Sequence, residues 1–210
     1  SAKTEIKGNL TAGGLKAEVE NTGVFSTAST GAAISSANNS NCVGAAVAVS
    51  VNGNKALIEI PDEIKIVITG TPAEPSTDSE EKVDPILGNV ALSTVLNQNS
   101  TDDGLGRYGA LAVSGSSSGK GGKVGLAGSV AVLVAKGTSA ILLGNNVSIT
   151  GSDKGSVSVS ATDKSKLSAA AMAATKSGGA AAGVGASFAL LYAENEVLAQ
   201  VGDNFTVSAK

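Results

Sequence analysis

Between Val124 and Ala161 the chain alternates apolar with small or polar positions, in short runs broken by Gly, Asn and Ser. Val130, Val132 and Val134 alternate with Ala131 and Leu133; Val147 and Ile149 alternate with Ser148 and Thr150; Val157 and Val159 alternate with Ser156, Ser158 and Ser160. Period-two runs bounded by turn residues predict β-strands separated by tight turns. One stretch competes, because the run SAAAMAAT at 168–175 has high helix propensity taken alone. Its counterpart one repeat upstream, ALAVSGSS at 110–117, does not have high helix propensity. One repeat unit should have one structure, so the Ala run is assigned to a strand.

The repetition is explicit. SVAVLVAKGTSAILLGNNVSIT at 129–150 returns as SFALLYAENEVLAQVGDNFTVS at 187–208, an offset that carries Ser129 onto Ser187. In that register Ala131 matches Ala189, Leu133 matches Leu191, and Gly144-Asn145-Asn146 matches Gly202-Asp203-Asn204. Val130, Val132 and Val134 map onto Phe188, Leu190 and Tyr192, and Val147 and Ile149 onto Phe205 and Val207, so apolar character persists. An earlier copy is AVAVSV at 46–51, where the interval from Val47 to Val130 is the repeat plus an insertion. The stretch 71–103 carries Pro72, Pro75, Pro85 and the acidic run Asp78-Ser79-Glu80-Glu81, and reads as one or two surface loops inserted in a single domain spanning 1–210.

A unit of roughly 58 residues divides into three turns of about 19, near one coil of a parallel β-solenoid, whose coils stack at about 4.8 Å. Alternation assigns Val130, Val132 and Val134 to the interior, together with Val147 and Ile149, and sends Ser148 and Thr206 to solvent. Gly and Asn are expected at corners requiring φ > 0.

Composition sharpens this picture. Ala, Gly and Ser make up roughly 40% of the chain, about double ordinary usage, while aromatic residues are 2% and Trp is absent. A narrow interior of small apolar side chains fits; a core of large rings does not. There is no His, which removes Ser-His-Asp and Cys-His nucleophile systems and every His-ligated metal site. The single cysteine, Cys42, excludes an internal disulfide and a cysteine zinc cluster, and reads as a small buried residue. Net charge is −3, without a basic face or interleaved aromatics, so no nucleic-acid partner is expected. The most membrane-like stretch, 167–193, contains Lys176 and a weakly apolar Gly/Ala run, and no membrane insertion by it is expected. No signal peptide opens the sequence, which reads as a mature segment or a piece of a longer protein.

The motif running from VGLAGSVAVLV at 124–134 through GNNVSIT to GSVSVSA at 155–161 resembles the repeat regions of giant secreted bacterial surface proteins, the leukotoxin-like and filamentous-haemagglutinin-like adhesins. The resemblance covers the chain apart from 71–103, and is weakest before Ala46. It implies a right-handed parallel β-helix outside the cell or on the bacterial cell surface. Such a helix would adhere to a protein or glycan ligand on a host or neighbouring cell, or hold a functional tip away from the surface. It brings no catalytic residue, cofactor or metal.

Individual motifs add little chemistry. Ser114–Gly121 imitates a phosphate-binding loop but has Ser114 where the first Gly belongs, and lacks a hydroxyl residue after Lys120. Ser117 and Lys120 form an S-x-x-K spacing expected by chance in a Ser-rich chain. The segments around Gly144 and Gly202 resemble a left-handed hexapeptide, but recur once per repeat unit rather than in tandem. Asp78, Glu80, Glu81 and Asp84 offer hard oxygen ligands for Ca²⁺ without a recognised spacing, and read with Asp102-Asp103 as solvated acidic loops. Paired carboxylates for glycoside hydrolysis do not recur in the strands. Asn9, Asn38, Asn99, Asn146 and Asn204 begin chance N-x-S/T sequons, and the Ser156/Ser158/Ser160 row reads as a solvated face rather than an ice-binding plane. The expectation is a non-enzymatic structural and adhesive module. The competing readings are a polysaccharide-acting β-helix, with its site on the acidic insertion, and a repeat segment of a secreted toxin.

Overall fold

The computed structural model describes residues 1–35, 41–72, 86–100, 108–118, 124–177 and 182–209. Every regular element among them is a β-strand. The first pass of the chain forms β1 (Ala2–Glu5), β2 (Leu10–Ala12), β3 (Leu15–Val24) and β4 (Thr27–Ser35). The second forms β5 (Cys42–Ile60), β6 (Lys65–Ile68), β7 (Val90–Asn99) and β8 (Ala110–Ser118). The third forms β9 (Val124–Leu143), β10 (Ser148–Gly151), β11 (Val157–Asp163) and β12 (Ala169–Ser177), and the fourth β13 (Ala182–Val201) and β14 (Thr206–Ala209).

Each strand pairs in parallel with its equivalent in the neighbouring pass, giving four sheets: β1-β5-β9-β13, β2-β6-β10-β14, β3-β7-β11 and β4-β8-β12. The repeat read from sequence is the pairing register itself. Phe188 pairs with Val130 and Thr206 with Ser148, and Val47 pairs with Val130 across the longer interval. The Ala run is β12, paired with β8 through Ala169 and Ala110, one residue away from the expected alignment.

Three expectations need correction. The repeat is not three short turns: Ser129 pairs directly with Ser187, and Ser148 with Thr206, so one unit is one pass through all four sheets. The unit is so long because β9 and β13 each run 20 residues unbroken. Second, the stretch 71–103 is not all inserted loop. Its residues 90–99 are β7, a central strand whose Val90, Leu92 and Leu96 are buried. Its buried alternate positions continue with Thr94 and Gln98, and these polar residues hid the strand from an apolar pattern search. The acidic residues at 78–84, and Asp102-Asp103, lie outside the described residues.

The third correction concerns inside and outside. On β9 the buried set is Ala131, Leu133 and Ala135, while Val130 is 37% exposed and Val132 and Val134 are partly exposed. Val147 and Ile149 are interior, as expected, and Ser148 faces out. The cause lies in how close the sheets approach. Where the first and fourth sheets face each other, a Cβ on Gly44 would meet the Gly115 carbonyl oxygen at 2.1 Å, and one on Gly31 the Ala45 carbonyl oxygen at 1.7 Å. Backbone lies almost on backbone, so the buried residues of that cluster are Ala46, Ala48, Ala110, Ala112 and Ala131 with Leu133, and the larger Phe25 and Leu167 pack against it only partly buried. Ser114, Ser116 and Ser129 are buried nearby, their hydroxyls unpartnered among the described residues.

The other end of the long strands is wider. Ile58, Ile60, Ile141 and Leu143 of the first sheet meet Ile66, Ile68, Val147 and Ile149, with Val90 and Leu92 of the third. A polar seam separates the two clusters. Gln98, fully buried, accepts from Asn52 Nδ2 at 3.4 Å through Oε1 and donates through Nε2 to the Lys136 carbonyl at 3.3 Å and Asn195 Oδ1 at 3.5 Å. Ser139 Oγ donates to Thr94 Oγ1 at 3.0 Å alongside. At the turn before the second sheet, Glu63, Asn146 and Asn204 stack in one column with φ of 65°, 57° and 56°.

Candidate interaction surface

The parity that buries Ala131 and Leu133 turns the branched side chains outward on three adjacent strands. On β5 these are Val43, Val47, Val49 and Val51; on β9, Leu126, Val130, Val132 and Val134; on β13, Val184, Phe188, Leu190 and Tyr192. The pairing aligns them as columns, for instance Val47/Val130/Phe188 and Val51/Val134/Tyr192. Val51 is 75% exposed, Val47 61% and Phe188 56%. A further column, Ala45/Gly128/Ala186, is small throughout and runs as a notch across the face, with nothing within 4 Å of where a Gly128 Cβ would stand.

Three strands about 4.8 Å apart, and nine residues at about 3.3 Å each, give an apolar patch on the order of 400 Å². That is within the range of the largest patches on soluble proteins, which are commonly functional. Charge borders it abruptly. The next column is Gly53/Lys136/Glu194, and the following one Lys55/Thr138/Glu196. Lys136 Nζ lies 2.8 Å from Glu194 Oε2, which also accepts from the Tyr192 hydroxyl at 3.2 Å. The Lys136 hydrogen bond and charge, then the tyrosine hydroxyl, hold the Glu194 carboxyl below its ordinary range, and the same pair raises Lys136. An open concavity of about 880 Å³ lies along this polar border, lined by Gly53, Lys55, Lys136, Thr138, Glu194 and neighbours.

The motifs weighed in the sequence fall elsewhere. Ser117 is in β8, with its carbonyl accepting from Cys42 Sγ at 3.2 Å, and Lys120 lies outside the described residues. Cys42 is buried. Ser156, Ser158 and Ser160 are exposed beside and on β11. Asn9, Asn146 and Asn204 are tied into the stack: Asn9 Oδ1 accepts from the Lys65 amide at 2.8 Å, and Asn204 Nδ2 donates to Asn146 Oδ1 at 3.1 Å. Asn99 Nδ2 donates to Asn97 Oδ1 at 2.9 Å, while Asn38 lies outside the described residues. Among the described residues no three acidic or cysteine side chains gather as a metal-holding group, and no helix is long and apolar enough to cross a membrane. Sequence reasoning missed the apolar face because it assigned those valines to the interior. The signal was present in the Gly44, Gly115 and Ala positions, which leave no room for them.

Comparison with known proteins finds no family model that matches the chain, and no curated protein or solved structure that does.

Proposed function

We propose that the chain is a segment of a right-handed parallel β-solenoid, displayed on a bacterial cell surface or secreted. Its role is structural and adhesive: it carries or makes attachments to a protein or glycan ligand on a host or neighbouring cell, without catalysis, cofactor or metal. The observation that carries this reading is the serial, in-register stacking of equivalent strands from successive passes, together with an exposed apolar face bordered at one end by charge. Stacking by repeat extends the fold without a new core design, since each pass contacts its neighbours alone. A contiguous apolar patch on such a stack serves contact with another surface.

The test is attachment. Beads coated with the purified chain are passed over immobilised host cells and a glycan array, beside beads bearing a globular protein of equal net charge. Retention above that control is expected; equal retention at every coating density overturns the adhesive reading. Release of reducing sugar from a polysaccharide panel by the same preparation would replace it with the enzymatic one.

A further inference from the structure

The apolar face is not uniform: one small column is set among large ones. Along each strand its columns read large at position 43, small at 45, and large at 47, 49 and 51 (β5 numbering). Consider a second copy laid against it, related by a two-fold axis that runs along the stacking direction through the Val47/Val130/Phe188 column. Each strand then faces its own counterpart in the opposite direction, and position 45 meets position 49. The Val49/Val132/Leu190 ridge then faces the Ala45/Gly128/Ala186 notch of the other copy, twice over, while the Val47 column meets itself on the axis and the 43 and 51 columns meet each other at the two ends. The alternative axis, along the strands, sets notch against notch and leaves a gap, and brings Lys136 opposite Lys136. An interface of this closed, self-complementary kind is the commonest between identical chains.

We infer that the outer face of the β5–β9–β13 sheet pairs with the same face of a second copy. The two stacks lie side by side, pointing the same way, with Val130 on the axis. Burying two patches of about 400 Å² removes on the order of 800–1,000 Å² in all, at the small end of specific interfaces. The pair is therefore weak and concentration-dependent, with a Kd roughly in the micromolar-to-millimolar range. The Lys136–Glu194 column falls at its rim, where it stays hydrated. Under the adhesive reading, on which its biological meaning rests, this contact bundles stacks projecting from one surface.

The full chain is tested by sedimentation equilibrium from micromolar to millimolar concentration. A monomer–dimer equilibrium is expected, weakened at least about tenfold by Val130→Lys and by Gly128→Leu, which fills the notch. Both positions point away from the core, so both variants should melt with the parent. Leu191→Lys, on the opposite side of the edge strand β13 from the apolar face, should leave pairing unchanged. In a Cys42→Ala background Val130→Cys should oxidise to a covalent dimer, and Gly128→Cys should cross-link with Val132→Cys in mixture more than either does alone. A monomer at every concentration overturns the inference. So does a dimer broken by Leu191→Lys but not by Val130→Lys, which would mean edge-to-edge stacking. Monomeric chain that still retains beads on cells removes the pairing and keeps the adhesive reading; a dimer without retention does the reverse.

Discussion

Single residues reveal how close the sheets come. Gly44 and Gly53 lie on the same strand, yet a Cβ on Gly44 would strike the Gly115 carbonyl while one on Gly53 meets nothing within 4 Å. Gly44→Ala must push two backbones apart and should cost about 1–3 kcal/mol, as overpacking does. Gly53→Ala should be neutral or stabilise by up to about 1 kcal/mol, because glycine in a strand carries excess entropy in the unfolded chain. Chemical denaturation of the two variants reads the difference, and equal loss in both would show that the sheets are not in contact at Gly44. The turn column offers the opposite kind of test. Glu63 holds φ of 65° where the next two passes place Asn146 and Asn204. Asparagine tolerates the left-handed region better than glutamate, so Glu63→Asn should raise stability by roughly 0.5–1 kcal/mol. A lowered melting temperature would count against a strained Glu63.

At the scale of strands, the sequence carried pairing far better than facing. The two repeat offsets were legible because apolar and glycine positions recur, and the register reproduces the Ser129-to-Ser187 offset residue for residue along β9 and β13. Which side of β9 is buried was not legible from apolarity, since both faces are apolar there; it depends on how closely a partner sheet approaches, a property of Gly31, Gly44 and Gly115 on other strands. On β10, where Ser148 and Thr150 leave one apolar face, the same reasoning found the interior correctly. The partner strand β7 was hidden because its buried side interrupts Val90, Leu92 and Leu96 with Thr94 and Gln98, satisfied by hydrogen bonds that only the assembled passes supply. The parity is directly testable. Leu133→Asp puts an unpaired charge into a fully buried position and should cost several kcal/mol. Val132→Asp, one residue away on the outer side, should cost under about 1 kcal/mol. If thermal melts rank them the other way, β9 is turned over, and the apolar face with it.

Across the whole molecule, the stack has inner strands and edges, and the backbone should report which is which. β9 is hydrogen-bonded to β5 on one side and β13 on the other along most of its length. β13 pairs with β9 alone among the described strands, so every second amide along it points away from a partner. β5 is mixed, because β1 covers it at Ala56–Glu59 and, among the described strands, Cys42–Lys55 pairs on one side only. Native-state hydrogen exchange on the chain should therefore show slow amides throughout β9. Protection should alternate along β13 and along residues 42–55, then become continuous at 56–59. Since each pass touches only its neighbours, edge strands should open at lower free energy than β9, which requires two interfaces to separate. Pairing through the outer face would protect side chains without closing any backbone edge, so the alternation should survive at concentrations where the dimer forms. Continuous protection along β13 at high concentration would mean instead that another strand has docked on its free edge. The stacks would then grow end to end, and the apolar face would be left without the partner inferred for it.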